Sequence, residues 1–213
     1  TGAQNGIDDI IFTAIETLNI TSDVVSVLGN EKLSTASESN LISDISADTA
    51  LTTVNLSGND KLTVTVGAEA ALLSAIDASG MTYDATITTS AASAVTVTLG
   101  SGNDTLNFGT TLTGTDTVTD GGNRTATTAD RLTATISGLS TVTGTGNLNI
   151  SGVENIDLIT ATSASSVSAA NITGATVINA AGTHAGDNTT ALTITDLPVG
   201  TSVGVGNATA AAN

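Results

Sequence analysis

The residues of this chain best suited to chemistry are carboxylates set in glycine-rich turns. The clearest example is GSGNDTL, from Gly100 to Leu106, which separates two stretches of alternating apolar residues. Glycine permits a tight backbone that exposes carbonyl oxygens, and the aspartate adds a charged carboxylate. Calcium binds about six to eight such oxygens in proteins. The segment therefore predicts a calcium site formed by Gly100, Gly102, Asn103 and Asp104.

A partial copy, SGNDKL, runs from Ser57 to Leu62 and predicts further calcium ligands at Asn59 and Asp60. Both copies resemble part of the calcium-binding repeat G-G-x-G-x-D-x-U-x, in which U is apolar. The chain does not repeat this unit in tandem, so the pattern indicates separate calcium clips. A purely structural interpretation stays open, because Asn-Asp pairs also form turns without metal.

A stretched glycine-aspartate turn follows, beginning at Asp120 and ending at Asp130. Asp120 lies 16 residues after Asp104 (120 − 104), which is close to one circuit of two short strands with their turns. We therefore expect Asp120 and Asp130 to lie above or below Asp104 on a neighbouring coil, as further calcium ligands.

The composition predicts the fold class. The chain has 22 glycines and one proline, and Phe12, Tyr83 and Phe108 are its only aromatic residues. β-Branched residues favour short strands, and the lack of large side chains argues against a compact globular core. We predict an all-β, elongated parallel β-solenoid of short strands over residues 1–205, as a fragment of a longer chain. One small helix is predicted near residues 68–78, and residues 206–213 are predicted to form a weakly ordered tail.

The charge excludes several classes of partner. Twenty acidic residues against four basic ones give a formal net charge of −16. Nucleic-acid binding needs a basic face, so no nucleic-acid partner is expected. No apolar run is long enough to cross a bilayer, so no membrane insertion is expected. The chain has no cysteine, which excludes disulfides and thiolate metal sites.

Catalysis has little support in the sequence, and no enzymatic activity is expected. His184 is the only histidine and lies in a glycine-rich stretch typical of a solvated loop. A polysaccharide-active β-helix enzyme stays open as an alternative, although four basic and three aromatic residues leave little from which to build its site.

A second internal similarity joins two glutamate-containing segments. IETLNI begins at Ile15, and VENIDL begins at Val153. Their glutamates, Glu16 and Glu154, are 138 residues apart (154 − 16), which suggests slightly more than one large repeat. Each glutamate is either a ligand at a coil corner or the polar entry of a strand.

These segments give the chain a resemblance to the lattice-forming region of Caulobacter-type S-layer proteins and related type I-secreted, calcium-binding surface proteins. The motifs that carry it are IETLNITSD with GVENIDL, ALTTVNLSG, GSGNDTLNF, and the turn from Asp120 to Leu132. These segments total 47 of the 213 residues, about a fifth of the chain. The stretched turn and Leu56, which stands where the repeat has a glycine, depart from the pattern, and a C-terminal secretion signal is not evident.

The resemblance implies a calcium-binding β-solenoid that is secreted to the cell surface and assembles with copies of itself into a sheet. It implies calcium ligands at Gly100, Gly102, Asn103, Asp104, Asp120 and Asp130. Surface polysaccharide is a further candidate partner. The alternative is a stalk or passenger segment of a large secreted adhesin, which would have the same fold but bind a host or polysaccharide ligand.

Overall fold

The computed structural model describes residues 6–23, 39–47, 49–122, 129–136, 147–160, 165–182 and 192–207. Over these ranges the chain forms β-strands and no helix. The strands are β1 (Gly6–Ile7), β2 (Ile10–Phe12), β3 (Thr17–Ser22), β4 (Asn40–Ala47), β5 (Thr53–Gly58), β6 (Leu62–Val66), β7 (Ala75–Met81), β8 (Ala85–Thr89), β9 (Thr96–Thr98), β10 (Thr105–Asn107), β11 (Thr117–Thr119), β12 (Arg131–Ile136), β13 (Asn149–Ser151), β14 (Asn155–Thr160), β15 (Ser165–Ser168), β16 (Ile172–Thr173), β17 (Val177–Gly182), β18 (Leu192–Thr195) and β19 (Ser202–Asn207).

The strands form a parallel β-solenoid of about six turns, as the composition predicts. From β3 to β14 the chain alternates between two large sheets, adding one strand to each sheet per turn. One sheet has the order β1-β4-β6-β8-β10-β12-β14-β17-β19, with β2 also pairing with β4, and the other has the order β16-β13-β11-β9-β7-β5-β3. A small third sheet pairs β15 with β18.

The core consists of aliphatic side chains stacked in register between the two sheets. In β6 the residues alternate, so that Leu62, Val64 and Val66 are buried while the intervening threonines face outward. One such column in the ten-stranded sheet runs through Ile42, Val64, Ile87, Leu106, Leu132, Ile156 and Ile178. Because each residue packs against its counterpart one strand away, medium-sized aliphatic residues fill the interior and few aromatic residues are needed.

The helix predicted near residues 68–78 is wrong. Residues 68–72 form turns, and Ala75 begins strand β7 by pairing with Thr53 of β5. Ala70 and Leu73 still face the core, with 0% of their surface exposed. Helix propensity is a weak preference, and in this short segment strand pairing overrides it.

The two glutamate-containing segments are not structurally equivalent. Glu16 precedes β3 in the seven-stranded sheet, whereas Glu154 precedes β14 in the ten-stranded sheet. The similarity of these segments therefore reflects the common pattern of an acid before a strand, not one large repeat. Strand β19 extends to Asn207, into the predicted tail, and residues 208–213 and His184 lie outside the described residues. Across the described ranges there is no helix with the length and apolar character needed to span a membrane.

The stacked core makes a specific prediction for Leu106, which is 0% exposed in the column between Ile87 and Leu132. Leu106→Ala should lower the free energy of unfolding by about 2–5 kcal/mol, because it removes buried methyl groups and leaves a cavity. Denaturant unfolding followed by circular dichroism measures this, with the exposed Thr86→Ala as control. Equal stability of the two variants would contradict the stacked core.

Candidate metal centre

Acidic residues gather where the chain passes from the seven-stranded to the ten-stranded sheet. We call this the acidic corner, and define it by the described residues of three successive connections: 99–104 between β9 and β10, 120–122 with 129–130 between β11 and β12, and 152–154 between β13 and β14. Asp104, Asp130 and Glu154 each immediately precede a strand of the ten-stranded sheet. Since those strands pair in register, the three acids are stacked one above another.

Three of the residues predicted as calcium ligands come together at this corner. One carboxylate oxygen each from Asp104, Asp120 and Asp130 lies within 4.8 Å of the other two. Asp104 is 1% exposed and Asp130 is 0% exposed, whereas Asp120 is half-buried. We call these three residues the aspartate triad.

The glycines of the first connection allow its coil to stack closely on the preceding one. A Cβ at Gly100 would lie 2.5 Å from the Met81 carbonyl oxygen, and one at Gly102 would lie 2.5 Å from the Tyr83 carbonyl oxygen. No larger residue fits at either position without moving the backbone. Met81 and Tyr83 belong to the previous turn of the solenoid, so the two glycines allow these turns to approach this closely.

The Asp104 carboxylate is held in place by two backbone amides. The Ala85 N–H donates to its Oδ1 at 2.7 Å, and the Gly100 N–H donates to its Oδ2 at 2.9 Å. The first bond joins Asp104 to the preceding coil, and the second closes its own turn. A carboxylate oxygen keeps further lone pairs after accepting one hydrogen bond, so both oxygens remain able to bind a cation.

The other two triad members each have one oxygen without a partner. The Asp104 N–H donates to Asp130 Oδ1 at 2.6 Å, and the Gly122 N–H donates to Asp120 Oδ2 at 2.7 Å. Asp130 Oδ2 and Asp120 Oδ1 are buried and have no hydrogen-bond partner. Burying a carboxylate oxygen without a partner is costly, and a bound cation would remove that cost.

The environment of Asp104 and Asp130 opposes ionisation of these two carboxyl groups. Burial raises the pKa of Asp104 to about 6, against the amide hydrogen bonds from Ala85 and Gly100 and with the help of the nearby Asp120 charge. Burial likewise raises the pKa of Asp130 to about 8, opposed by the Asp104 amide and reinforced by Asp120. Three carboxylates this close therefore need either protons or a cation to reduce their repulsion.

The basic side chains in the described part of the chain pair with other acids. Lys61 forms an ion pair with Asp84 at 2.8 Å, and Arg131 forms one with Asp157. Burial raises the pKa of Asp84, but the Lys61 contact and the Asn103 N–H outweigh that effect, and the net pKa is lowered. Neither of these two basic side chains has an ion pair with the triad.

The donor set and its dimensions suit calcium. Two oxygens bound to one calcium ion are at most about 5 Å apart, twice the usual bond length of about 2.3–2.6 Å, and the triad oxygens meet this limit. A Cβ at Gly121 would lie 2.9 Å from the carbonyl oxygens of Leu99 and Gly100. These two backbone oxygens therefore lie close to the residue that follows Asp120. Oxygen donors without nitrogen or sulfur favour a hard cation such as calcium.

Three predicted ligands remain: Asn103, which belongs to the connection that carries Asp104, and Asn59 and Asp60, which lie in an earlier connection. Asn103 Oδ1 is buried without a partner, and the Asn103 N–H donates to Asp84 Oδ1 at 3.1 Å. Asn59 and Asp60 lie two turns earlier at the same corner, in the connection between β5 and β6. There Asp60 Oδ1 accepts the Lys61 N–H at 2.9 Å, and the Asn59 N–H donates to Asp23 at 3.1 Å. The structure does not bring Asn59 and Asp60 to the triad.

Two further acids hold the amides of neighbouring coils: Glu154, which the sequence leaves open as a ligand or a strand entry, and Asp116, which sequence reasoning missed. Glu154 Oε2 accepts the Asp130 N–H at 2.8 Å, and Asp116 Oδ1 accepts the Val95 N–H at 2.8 Å. Both residues directly precede a strand, as Asp104 and Asp130 do. In the sequence, such residues can be identified as acids that stand immediately before a segment of alternating apolar residues.

No protein-family model, curated protein or solved structure matches this chain. The interpretation of the acidic corner therefore depends on its geometry and on the chemistry of its oxygens.

The raised pKa values predict how pH changes the stability of the calcium-free protein. Asp104 and Asp130 have folded-state pKa values of about 6 and about 8, above the value of about 3.9 for an unfolded aspartate. The folded state therefore holds protons more tightly, and the stability that these protons provide is lost as pH rises through 6 and 8. The melting temperature of protein dialysed free of calcium should fall between pH 5 and pH 8.

An Asp104→Asn/Asp130→Asn double variant is the control, because it cannot titrate at these positions. Its melting temperature should depend less on pH over the same range. A wild-type melting temperature that stays constant or rises from pH 5 to pH 8 would contradict the raised pKa values.

Proposed function

We propose that this chain is a calcium-stabilised structural segment of a self-assembling bacterial surface-layer protein. The observation that carries the proposal is the aspartate triad, in which Asp120 and Asp130 each keep one buried oxygen without a hydrogen-bond partner. The triad joins two successive connections of the solenoid, so one ion bound there links neighbouring turns. Calcium would then act as a clip between coils.

The net charge supports a cation-dependent structure. A formal charge of −16 disfavours a compact fold through self-repulsion, and bound divalent ions reduce it. Extracellular calcium modules bind with dissociation constants of about 10⁻⁴–10⁻³ M, which suits a protein secreted into a medium rich in calcium. Secretion to the cell surface and the resemblance to S-layer proteins belong to this proposal.

The ends of the solenoid support assembly with further copies. Within the described residues, β19 pairs on one side only, with β17, and β3 pairs only with β5. Val203 and Val205 of β19 are 47% and 90% exposed, although Val203 continues the column of the buried Ile178 and Val205 follows the half-buried Ala180. Open parallel edges with apolar residues favour addition of a further strand, from more of this chain or from another copy, and the proposal takes the second. Surface polysaccharide stays a second candidate partner.

The calcium clip is tested by titrating calcium into the wild type and into Asp130→Asn by calorimetry. The asparagine keeps an oxygen that accepts the Asp104 N–H but removes a charge, so its calcium affinity should be at least about tenfold lower. Calcium at about 100 times its dissociation constant should stabilise the wild type by about 2.7 kcal/mol, measured by thermal unfolding.

Asp116→Asn is the matched control for this experiment. Asp116 is buried and accepts two backbone amides, from Val95 and Thr113, but lies at the far end of β11 from Asp120. The calcium affinity of Asp116→Asn should equal that of the wild type. A wild type that binds no calcium, or an Asp130→Asn variant that binds as well as the wild type, would disprove the clip.

Assembly is tested by electron microscopy of the wild type with calcium and with chelator. We expect ordered arrays only with calcium, and none for Asp130→Asn at the same calcium concentration, because the coils must be fixed before copies can pair. A protein that binds calcium but stays monomeric would exclude the surface-layer role and favour the adhesin stalk. Arrays that form equally well in chelator would show that calcium is not needed for assembly.

A further inference from the structure

The third connection of the acidic corner, residues 152–154, lies directly against two members of the triad. Gly152 has a backbone φ of +84°, and a Cβ at this position would lie 2.8 Å from Asp120 Cβ and 3.3 Å from Asp120 Oδ2. Any larger residue would therefore push Asp120 away from its present position. Because Gly152 has no side chain, it leaves the space that Asp120 occupies.

Glu154, at the end of the same connection, holds the backbone of Asp130. Its Oε2 accepts the Asp130 N–H at 2.8 Å, just as Asp130 Oδ1 accepts the Asp104 N–H at 2.6 Å. In both of these bonds the acid of one coil binds the amide of the acid in the coil before it, and Asp104 in turn accepts the N–H of Ala85. Glu154 is the last member of this ladder in the acidic corner, because Thr176 occupies the corresponding position of the next coil.

The same kind of hydrogen bond occurs where there is no triad. At the opposite corner, Asp116 accepts the Val95 N–H at 2.8 Å, and Val95 is an apolar core residue. A hydrogen bond from a backbone N–H of one coil to a carboxylate of the next is therefore a recurring link between coils. The Glu154 bond differs because the amide it holds belongs to a triad aspartate whose Oδ2 has no partner.

We propose that Gly152 and Glu154 are positioning residues of the calcium site, which extends the site over three successive coils. Gly152 leaves room for Asp120, and Glu154 fixes the backbone from which the Asp130 carboxylate reaches the ion. This inference rests on the proposed calcium clip. Calcium binding then also depends on the connection 152–154, which contributes no carboxylate to the triad.

The test compares calcium dissociation constants, measured by calorimetry with calcium chloride alone, for the wild type, Glu154→Ala and Glu154→Gln. Loss of a residue that orients a metal ligand typically weakens metal binding by about 10–100-fold, and we expect this for Glu154→Ala. Glu154→Gln keeps an oxygen that accepts the Asp130 N–H, so it should recover most of the lost affinity. Asp116→Ala loses the equivalent bond elsewhere and should keep the wild-type dissociation constant.

Gly152→Ala gives a second test that does not depend on Glu154. It should weaken calcium binding by at least about tenfold. Its control is Gly200→Ala: Gly200 has a similar φ of +91°, but no atom lies within 4 Å of a Cβ there. Gly200→Ala thus introduces a similar backbone strain without displacing Asp120, and its calcium affinity should equal that of the wild type.

The outcomes separate this inference from the clip itself. If the wild type binds calcium and either Glu154→Ala or Gly152→Ala binds equally well, the positioning role is overturned. If Glu154→Gln is as weak as Glu154→Ala, or if Asp116→Ala is weakened to the same extent, charge or general stability explains the loss and the positioning role is again overturned. If the wild type binds no calcium, the clip itself fails.

Discussion

Parallel, in-register stacking of the coils is the constraint on which this structure depends. Each residue lies about 4.8 Å from its counterpart in the next strand, so a feature that recurs at one position of successive coils becomes a continuous column. Aliphatic residues at the inward positions make the columns of the core. Acids at the strand-entry position make the ladder of Asp104, Asp130 and Glu154. One geometric rule therefore accounts for both the apolar interior and the concentration of charge at one corner.

The two kinds of column have opposite energetic consequences. Stacked valine, isoleucine and leucine side chains gain stability with every coil added, because each buries apolar surface against the next. Stacked carboxylates repel one another, and burial raises the pKa of Asp104 to about 6 and of Asp130 to about 8. Backbone amides satisfy part of the ladder, but Asp130 Oδ2 within it and Asp120 Oδ1 beside it have no hydrogen-bond partner. A calcium ion would turn this destabilising column into a cross-link between coils.

The sequence predicts the solenoid because threonine-rich alternation, glycine turns and the lack of aromatic residues leave few other folds. It also identifies Asp104, Asp120 and Asp130, which the structure brings together, but not the way in which they meet. The expected circuit of 16 residues is too short. Thr105 pairs with Thr86 on one side and with Arg131 on the other, which are separations of 19 (105 − 86) and 26 (131 − 105) residues. Because the connections differ in length, the local sequence pattern does not show which residues pair between coils. It therefore does not predict the hydrogen bond from the Asp130 N–H to Glu154. The helix near 68–78 was wrongly predicted because local propensity does not include the pairing of Ala75 with the preceding coil.

The most direct test of the calcium clip is a crystal structure of the protein grown in calcium, with anomalous scattering data to identify the ion. The account predicts one calcium peak at the acidic corner, with oxygens of Asp104, Asp120 and Asp130 at about 2.3–2.6 Å. A water molecule or a basic side chain at that position, with the three carboxylates placed as they are described above, would contradict it.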